Sequence, residues 1–165
     1  MMKSTTIILR LGIVTATIAL SGCAVSMSKV GKYDGLSQIN ADEATVYVYR
    51  ERAITSSAND YDVLIDNNLV GALPNGSYLK VSSASGSKMV KAGTGMGRGS
   101  EVDFENGKLY CMKLSYNFNI LMKSADIDPV SLATCNIEMT DLDYVMLKSE
   151  AKALGLTKKT PALFE

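Results

Sequence analysis

Three cysteines, Cys23, Cys111 and Cys135, are the most reactive side chains of this 165-residue chain, and the sequence holds no histidine to activate them. The missing histidine removes the commonest general base and the commonest metal ligand. It also excludes a Ser-His-Asp site outright. A Ser-Lys pair stays open, but serine and lysine are too frequent here for it to count. Asp60, Asp62 and Asp66 lack the spacing and the terminal Glu of a calcium loop, and Asp126 and Asp128 fare no better. All five read as solvated loop carboxylates. Gly93, Gly95, Gly97 and Gly99 alternate but match neither GxGxxG nor a phosphate loop ending in Lys-Ser/Thr. They are expected to join two strands, with no helix N-terminus to receive an anion, so an inter-strand loop is preferred to an anion nest. Met27, Met89, Met96, Met112, Met122, Met139 and Met146 are scattered, where a copper site would want them clustered. Asn75-Gly76-Ser77 fits a glycosylation sequon and reads better as a turn. No cofactor and no metal is expected, and the chain is read as a non-enzyme.

The first segment is an address rather than a fold. Residues 1–10 carry Lys3 and Arg10 and no acid, and Leu11 to Leu20 is apolar apart from Gly12, Thr15 and Thr17. This is the layout of a secretory signal. A transmembrane helix would need about 20 apolar residues, and the uninterrupted stretch supplies about half of that. The segment closes on Leu20-Ser21-Gly22-Cys23. That run resembles the lipobox of bacterial lipoprotein precursors. The resemblance implies that residues 1–22 are removed, that the Cys23 thiol takes a diacylglyceryl group, and that the new amine is acylated as well. Two or three acyl chains, palmitate among them, give lasting attachment where one chain is marginal. The rival reading is an unmodified cysteine after an ordinary cleavage site. Ala24, where an Asp would favour inner-membrane retention, resembles an outer-membrane destination facing the periplasm.

With Cys23 assigned, Cys111 and Cys135 remain as an even pair in an oxidising compartment, where disulfides persist. They are expected to be bridged, the alternative being two separate buried thiols. Two of the 17 basic residues, Lys3 and Arg10, fall in the signal, so the mature chain has 15 Lys and Arg against 17 Asp and Glu, a formal charge of −2. That balance argues against nucleic acid as a partner.

The elements that must position these residues follow from periodicity. Residues 23–43 are small and polar and read as a tether of about 25 Å coil length, with a stretched limit near 65 to 70 Å. Thr45 to Arg50 alternates, with Val46 and Val48 on one face and Thr45, Tyr47 and Tyr49 on the other, which predicts a strand. Further strands are expected over Tyr61–Asp66, Leu69–Leu73, Ser77–Ser82, Lys88–Lys91, Glu101–Phe104 and Lys108–Tyr116. Asn67-Asn68 and Asn106-Gly107 read as hairpin turns, and Pro74-Asn75-Gly76 as another turn. Residues 117–130 look irregular. Leu132–Met139 reads as a last strand, and Leu142–Leu154 as a helix capped by Thr140 or Asp141 and ended by Gly155. The sum is a mainly β chain. It is expected to form a single antiparallel β-sandwich or small barrel of about 7–8 strands over residues 44–155, with one C-terminal α-helix and a tail over 156–165.

Val46-Tyr47-Val48-Tyr49-Arg50-Glu51, Val63-Leu64-Ile65-Asp66-Asn67, Val70-Gly71-Ala72-Leu73, Asn75-Gly76-Ser77-Tyr78 and Lys108-Leu109-Tyr110 occur in that order. The series resembles a domain-of-unknown-function family of small bacterial lipoproteins, related in pattern to PEGA-type and transthyretin-like β-sandwiches. Ser82-Ser83-Ala84-Ser85-Gly86-Ser87 stands where such relatives carry a Pro-Gly turn and a His. The resemblance implies a fold and an address and no activity. Function is therefore expected to be that of a membrane-anchored envelope lipoprotein, held in the bilayer by acylated Cys23. It would act as a binding or structural module toward an envelope protein or peptidoglycan. Tyr47, Tyr49, Tyr61 and Tyr78 are the candidate binding surface. The alternative is a histidine-independent cell-wall hydrolase or other envelope enzyme.

Overall fold

Ten strands and two short helices make up the computed structural model, which describes residues 25–54, 58–93, 97–119 and 122–156. The signal segment, Cys23 and most of the tail lie outside those residues. The strands are β1 Met27–Lys32, β2 Ala44–Arg50, β3 Tyr61–Ile65, β4 Asn68–Leu73, β5 Ser77–Ser83, β6 Gly86–Ala92, β7 Ser100–Phe104, β8 Leu109–Asn119, β9 Met122–Val130 and β10 Asp143–Leu147. The helices are α1 Leu132–Glu138 and α2 Lys148–Ala153.

The strands form two open sheets, one ordered β1-β10-β5-β2-β8-β9 and the other β4-β3-β6-β7. This is a sandwich and not a barrel. The larger sheet is mixed: β2 runs parallel to β8, and β5 parallel to β10. β2 explains why one strand organises the core. All seven of its residues are buried. Its even-numbered face, Ala44, Val46 and Val48, meets Val63, Leu73, Val90 and Phe104 of the smaller sheet and Met112, Leu114 and Ile127 of its own. Its odd-numbered face carries Tyr47 and Tyr49 into a second cluster with Tyr78, Cys111, Cys135, Met139 and Leu142. The alternation in Thr45 to Arg50 thus separates two cores, because α1 and the Tyr33–Leu36 segment cover what would otherwise be a wet face.

Several local expectations change. The strand count rises to ten, and a second helix joins the first. Leu132–Met139 is a helix: α1 starts on the Ser131 side chain, which accepts the Thr134 N–H, a standard N-cap bond. It buries Cys135, with its C-cap Met139 buried four residues on, and leaves Ile137 outside, as helical spacing requires. The expected helix over Leu142–Leu154 divides into β10 and α2. β10 lies between β1 and β5, with Val145 in the inner core and Tyr144 packed against the outer one, so both faces are covered and its apolar residues lose a two-residue period. Gly155, with φ +70°, follows α2 as expected. Residues 117–130 are not irregular: β8 and β9 pair antiparallel from Cys111↔Val130 to Asn119↔Met122. Pro129 is accommodated because β9 is an edge strand.

The turn readings shift too. The β3–β4 hairpin turns on Asp66 and Asn67, both with positive φ (50° and 64°), one residue earlier than Asn67-Asn68. Asn106-Gly107 is a turn, but β7 and β8 belong to different sheets, so it is a crossover rather than a hairpin. The tether is the largest correction. β1 falls inside it and pairs with β10 from Met27↔Leu147 to Lys32↔Asp143. Only three residues, Ala24, Val25 and Ser26, separate Cys23 from that strand, too few for a stand-off of tens of ångströms.

Candidate functional site

The outer face of the larger sheet carries the tyrosines. Tyr78 is opposite Tyr49 in the β2–β5 ladder, and Tyr144 is opposite Tyr78 in the β5–β10 ladder. The β-strand period puts Tyr47, Tyr78, Lys80 and Tyr144 on this one face. Tyr78 and Tyr144 stack with ring centroids 5.1 Å apart, Tyr33 meets Tyr78 edge-on at 5.6 Å, and Tyr47 lies 6.1 Å from Tyr78.

A cleft of about 440 Å³ opens over these rings. Its floor is Tyr47, Tyr78, Tyr144 and Met146. One wall is the segment from Val30 to Ile39, and the other is Glu150 and Leu154 from α2 and the residue after it. The Tyr47 hydroxyl donates to the Ser37 carbonyl at 3.0 Å and accepts from the Ser37 N–H at 2.8 Å, which straps the wall to the floor. Lys80 Nζ donates to Ser37 Oγ at 2.8 Å and stands 5.6 Å from the Tyr47 ring centroid. Burial pushes the Tyr78 and Tyr144 phenols upward, with nearby Asp34 and Glu150 adding to it respectively. Both hydroxyls therefore stay protonated at any physiological pH. Tyr47 and Tyr78 are almost closed to solvent, so the cleft offers the half-buried Tyr144 ring, Lys80 and the charged groups at its rim. Such a lining can stack one flat ligand face and hold polar groups beside it.

The four tyrosines singled out in the sequence do not share one exposed surface. Tyr47, Tyr49 and Tyr78 are 1 %, 0 % and 3 % exposed. Tyr61 lies on the smaller sheet, under the Arg50 guanidinium at 4.7 Å and 6.0 Å from Tyr116. Tyr47 and Tyr78 line the cleft, Tyr49 lies under α1, and Tyr61 belongs to the inner core. Tyr144 was missed because Leu142 to Leu154 reads as a helix, which puts it on the wrong face.

A second cluster surrounds Lys113. Its Nζ lies 2.7 Å from Glu51 and 2.8 Å from Glu138, and the Tyr49 hydroxyl donates to Glu138 at 2.5 Å. Hydrogen bonds from Lys113 and Tyr49 lower the Glu138 pKa against its burial. A carboxylate held this firmly ionised is unsuited to act as a general acid near neutrality. Burial and Glu138 together push the Tyr49 phenol upward. The cluster ties the C-terminal end of α1 to β8 and the end of β2. Three strands away in the same sheet, Asp143 receives Lys29 at 2.8 Å, Lys32 at 2.5 Å and Arg52 at 3.6 Å. The two lysines bring its pKa down to about 2.

Cys111 and Cys135 lie at disulfide-bonding distance, with Sγ atoms 2.04 Å and Cα atoms 6.1 Å apart, and join α1 to β8. Among the described residues no three His, Cys, Asp or Glu side chains converge as a metal site. Asp66 instead pairs with Lys88 at 3.0 Å and accepts the Met89 N–H. Asp126 and Asp128 stand on β9, not in a loop. Asp126 accepts the Arg98 N–H at 2.8 Å, and the Ile127 N–H donates to the Arg98 carbonyl. The glycine-rich segment joins β6 to β7 as expected, with residues 94–96 outside those described. Among the described residues no helix is long and apolar enough to cross a membrane. No protein-family profile, curated protein or solved structure matches this chain.

Proposed function

We propose that the protein is an envelope lipoprotein, anchored through acylated Cys23 and probing the periplasm with a non-enzymatic binding module. The address rests on Lys3 and Arg10, the short apolar run and Leu20-Ser21-Gly22-Cys23. The module rests on the cleft floored by Tyr47, Tyr78 and Tyr144, which is the observation that carries the reading. The half-buried Tyr144 ring, backed by the buried Tyr78 and with Lys80 in the same recess, suits a sugar ring or an extended peptide. Both are available to an envelope protein from peptidoglycan or from a neighbouring protein. Glu138 and Asp143, both drawn down by lysines, lie outside this cleft and serve as ion-pair partners. The sandwich agrees with the small-lipoprotein resemblance of the sequence, which stands as part of this proposal.

The test is co-sedimentation with purified peptidoglycan sacculi and crosslinking in envelope extract. Tyr144→Ser and Lys80→Ala are measured beside Ile137→Ser on α1, outside the cleft. Capture that falls for the first two and survives in the third supports the reading. Equal capture by all three contradicts it, as does hydrolysis of the sacculi by the purified protein that a single carboxylate or serine substitution abolishes.

A further inference from the structure

We propose that the edge formed by β1 and α2 is the face that lies against the bilayer, with anionic lipid headgroups as its partner. This rests on the acylated Cys23 of the proposed function. Three peptide units separate Cys23 from Ser26, a reach of at most about 11 Å whatever path the chain takes. The Ser26 carbonyl accepts the Lys148 N–H at 2.9 Å, so the anchor leaves the domain beside the first residue of α2. A domain of this length has a radius of gyration of about 14 Å. The anchor therefore cannot reach round it, and the membrane must meet the side where β1 begins.

That side is built for such a contact. Leu154 and Leu156, just past α2, are 60 % and 45 % exposed, and Leu154 is also on the rim of the tyrosine cleft, which in this orientation opens beside the bilayer. Leu156 shares a cleft of about 320 Å³ with Lys29, Lys32 and Asp143. Lys29, Lys32 and Arg52 gather on Asp143 with more than half of each side chain in solvent. Lys148 and Lys152 stand on α2 itself. Against these five cations stand Asp34, Asp143 and Glu150, leaving this edge at +2 while the mature chain is −2, so the rest carries −4. Exposed leucines among lysines are the composition of segments that lie in a headgroup layer. Lysine stems can lie along the surface while their ammonium groups meet lipid phosphates.

The sequence contains no tryptophan, so a single introduced one reports on its own position. The full lipidated chain is reconstituted in phosphatidylethanolamine–phosphatidylglycerol vesicles with brominated acyl chains. Leu154→Trp and Leu156→Trp are expected to be quenched about twofold or more, and Ile137→Trp on α1 to stay unquenched. Lys148→Glu with Lys152→Glu should release the quenching while the protein stays vesicle-bound. Quenching of Leu154→Trp no greater than that of Ile137→Trp would overturn the proposal, as would quenching unchanged in neutral phosphatidylcholine vesicles. An acylated Cys23 in the mass spectrum with unquenched tryptophans rejects this face alone. An unmodified Cys23 rejects the anchor and this proposal together.

Discussion

Reducing the Cys111–Cys135 pair should loosen the outer core first, and by an amount the structure fixes. The two residues are 24 apart in sequence. In the chain-entropy model a loop of about 25 residues contributes about 3.5 kcal/mol to stability. Beyond this bridge α1 is held by its buried C-cap Met139 and by the Glu138 contacts with Lys113 and Tyr49. α1 has seven residues, far below the length at which a helix persists alone, and Cys135 is its one buried residue. Comparing oxidised and reduced wild-type protein keeps every side chain in place, so loop closure is isolated from packing. With a urea slope of about 2 kcal/mol/M, the midpoint should fall by about 1.8 M on reduction. Amides of α1 should gain exchange before those of β2 and β5. A midpoint that moves by less than about 0.5 M, with both thiols shown to be free by labelling, would refute this reasoning.

Tyr49→Ser should cost about 3 to 5 kcal/mol in denaturant unfolding, because it empties a fully buried ring site under α1. Tyr49→Phe should cost only about 1 kcal/mol, since Glu138 keeps Lys113 as a partner. Asp143→Asn should cost about 1 kcal/mol at pH 7, discounted for its half-exposed lysine partners. The folded pKa of Asp143 lies below its ordinary value, so the contribution is complete above about pH 4 and is lost as pH falls through about 2. Wild-type and variant melting curves should therefore converge at low pH. Gly107 has φ +69° in the crossover between the sheets, so Gly107→Ala should destabilise by about 1 to 2 kcal/mol in the same assay.

The strands that build the sandwich around β2 were readable because each has one face at least partly committed to a single core. Thr45 to Arg50 even assigned its two faces correctly. What escaped was the second layer on the outer face. Ala133, Cys135, Ile137 and Met139 read as one strand face, whereas the helix buries Cys135 and Met139 and exposes Ala133 and Ile137, so over eight residues two positions separate the periods. β10 is covered on both sides, so Leu142, Tyr144, Val145 and Leu147 mimic a helical stripe. β1 has almost no apolar pattern, because an edge strand rich in lysine takes its shape from its neighbour. The candidate site was half visible. Tyr47 and Tyr78 stood out by type, but their recess exists only once Tyr144 and α2 close around it. The Cys111–Cys135 pairing was expected from cysteine parity and an expected export, with two separate buried thiols as the alternative, and the fold supplied the bonding distance.

The central claim is that a binding module sits on a lipid-modified Cys23. Its most direct test is the mass of the N-terminal peptide of the mature protein, isolated from membranes of expressing bacteria. A peptide that begins at Cys23 and carries a thioether-linked diacylglyceryl group is the predicted result. A mature protein that begins elsewhere, or that carries Cys23 as a free thiol, would contradict it.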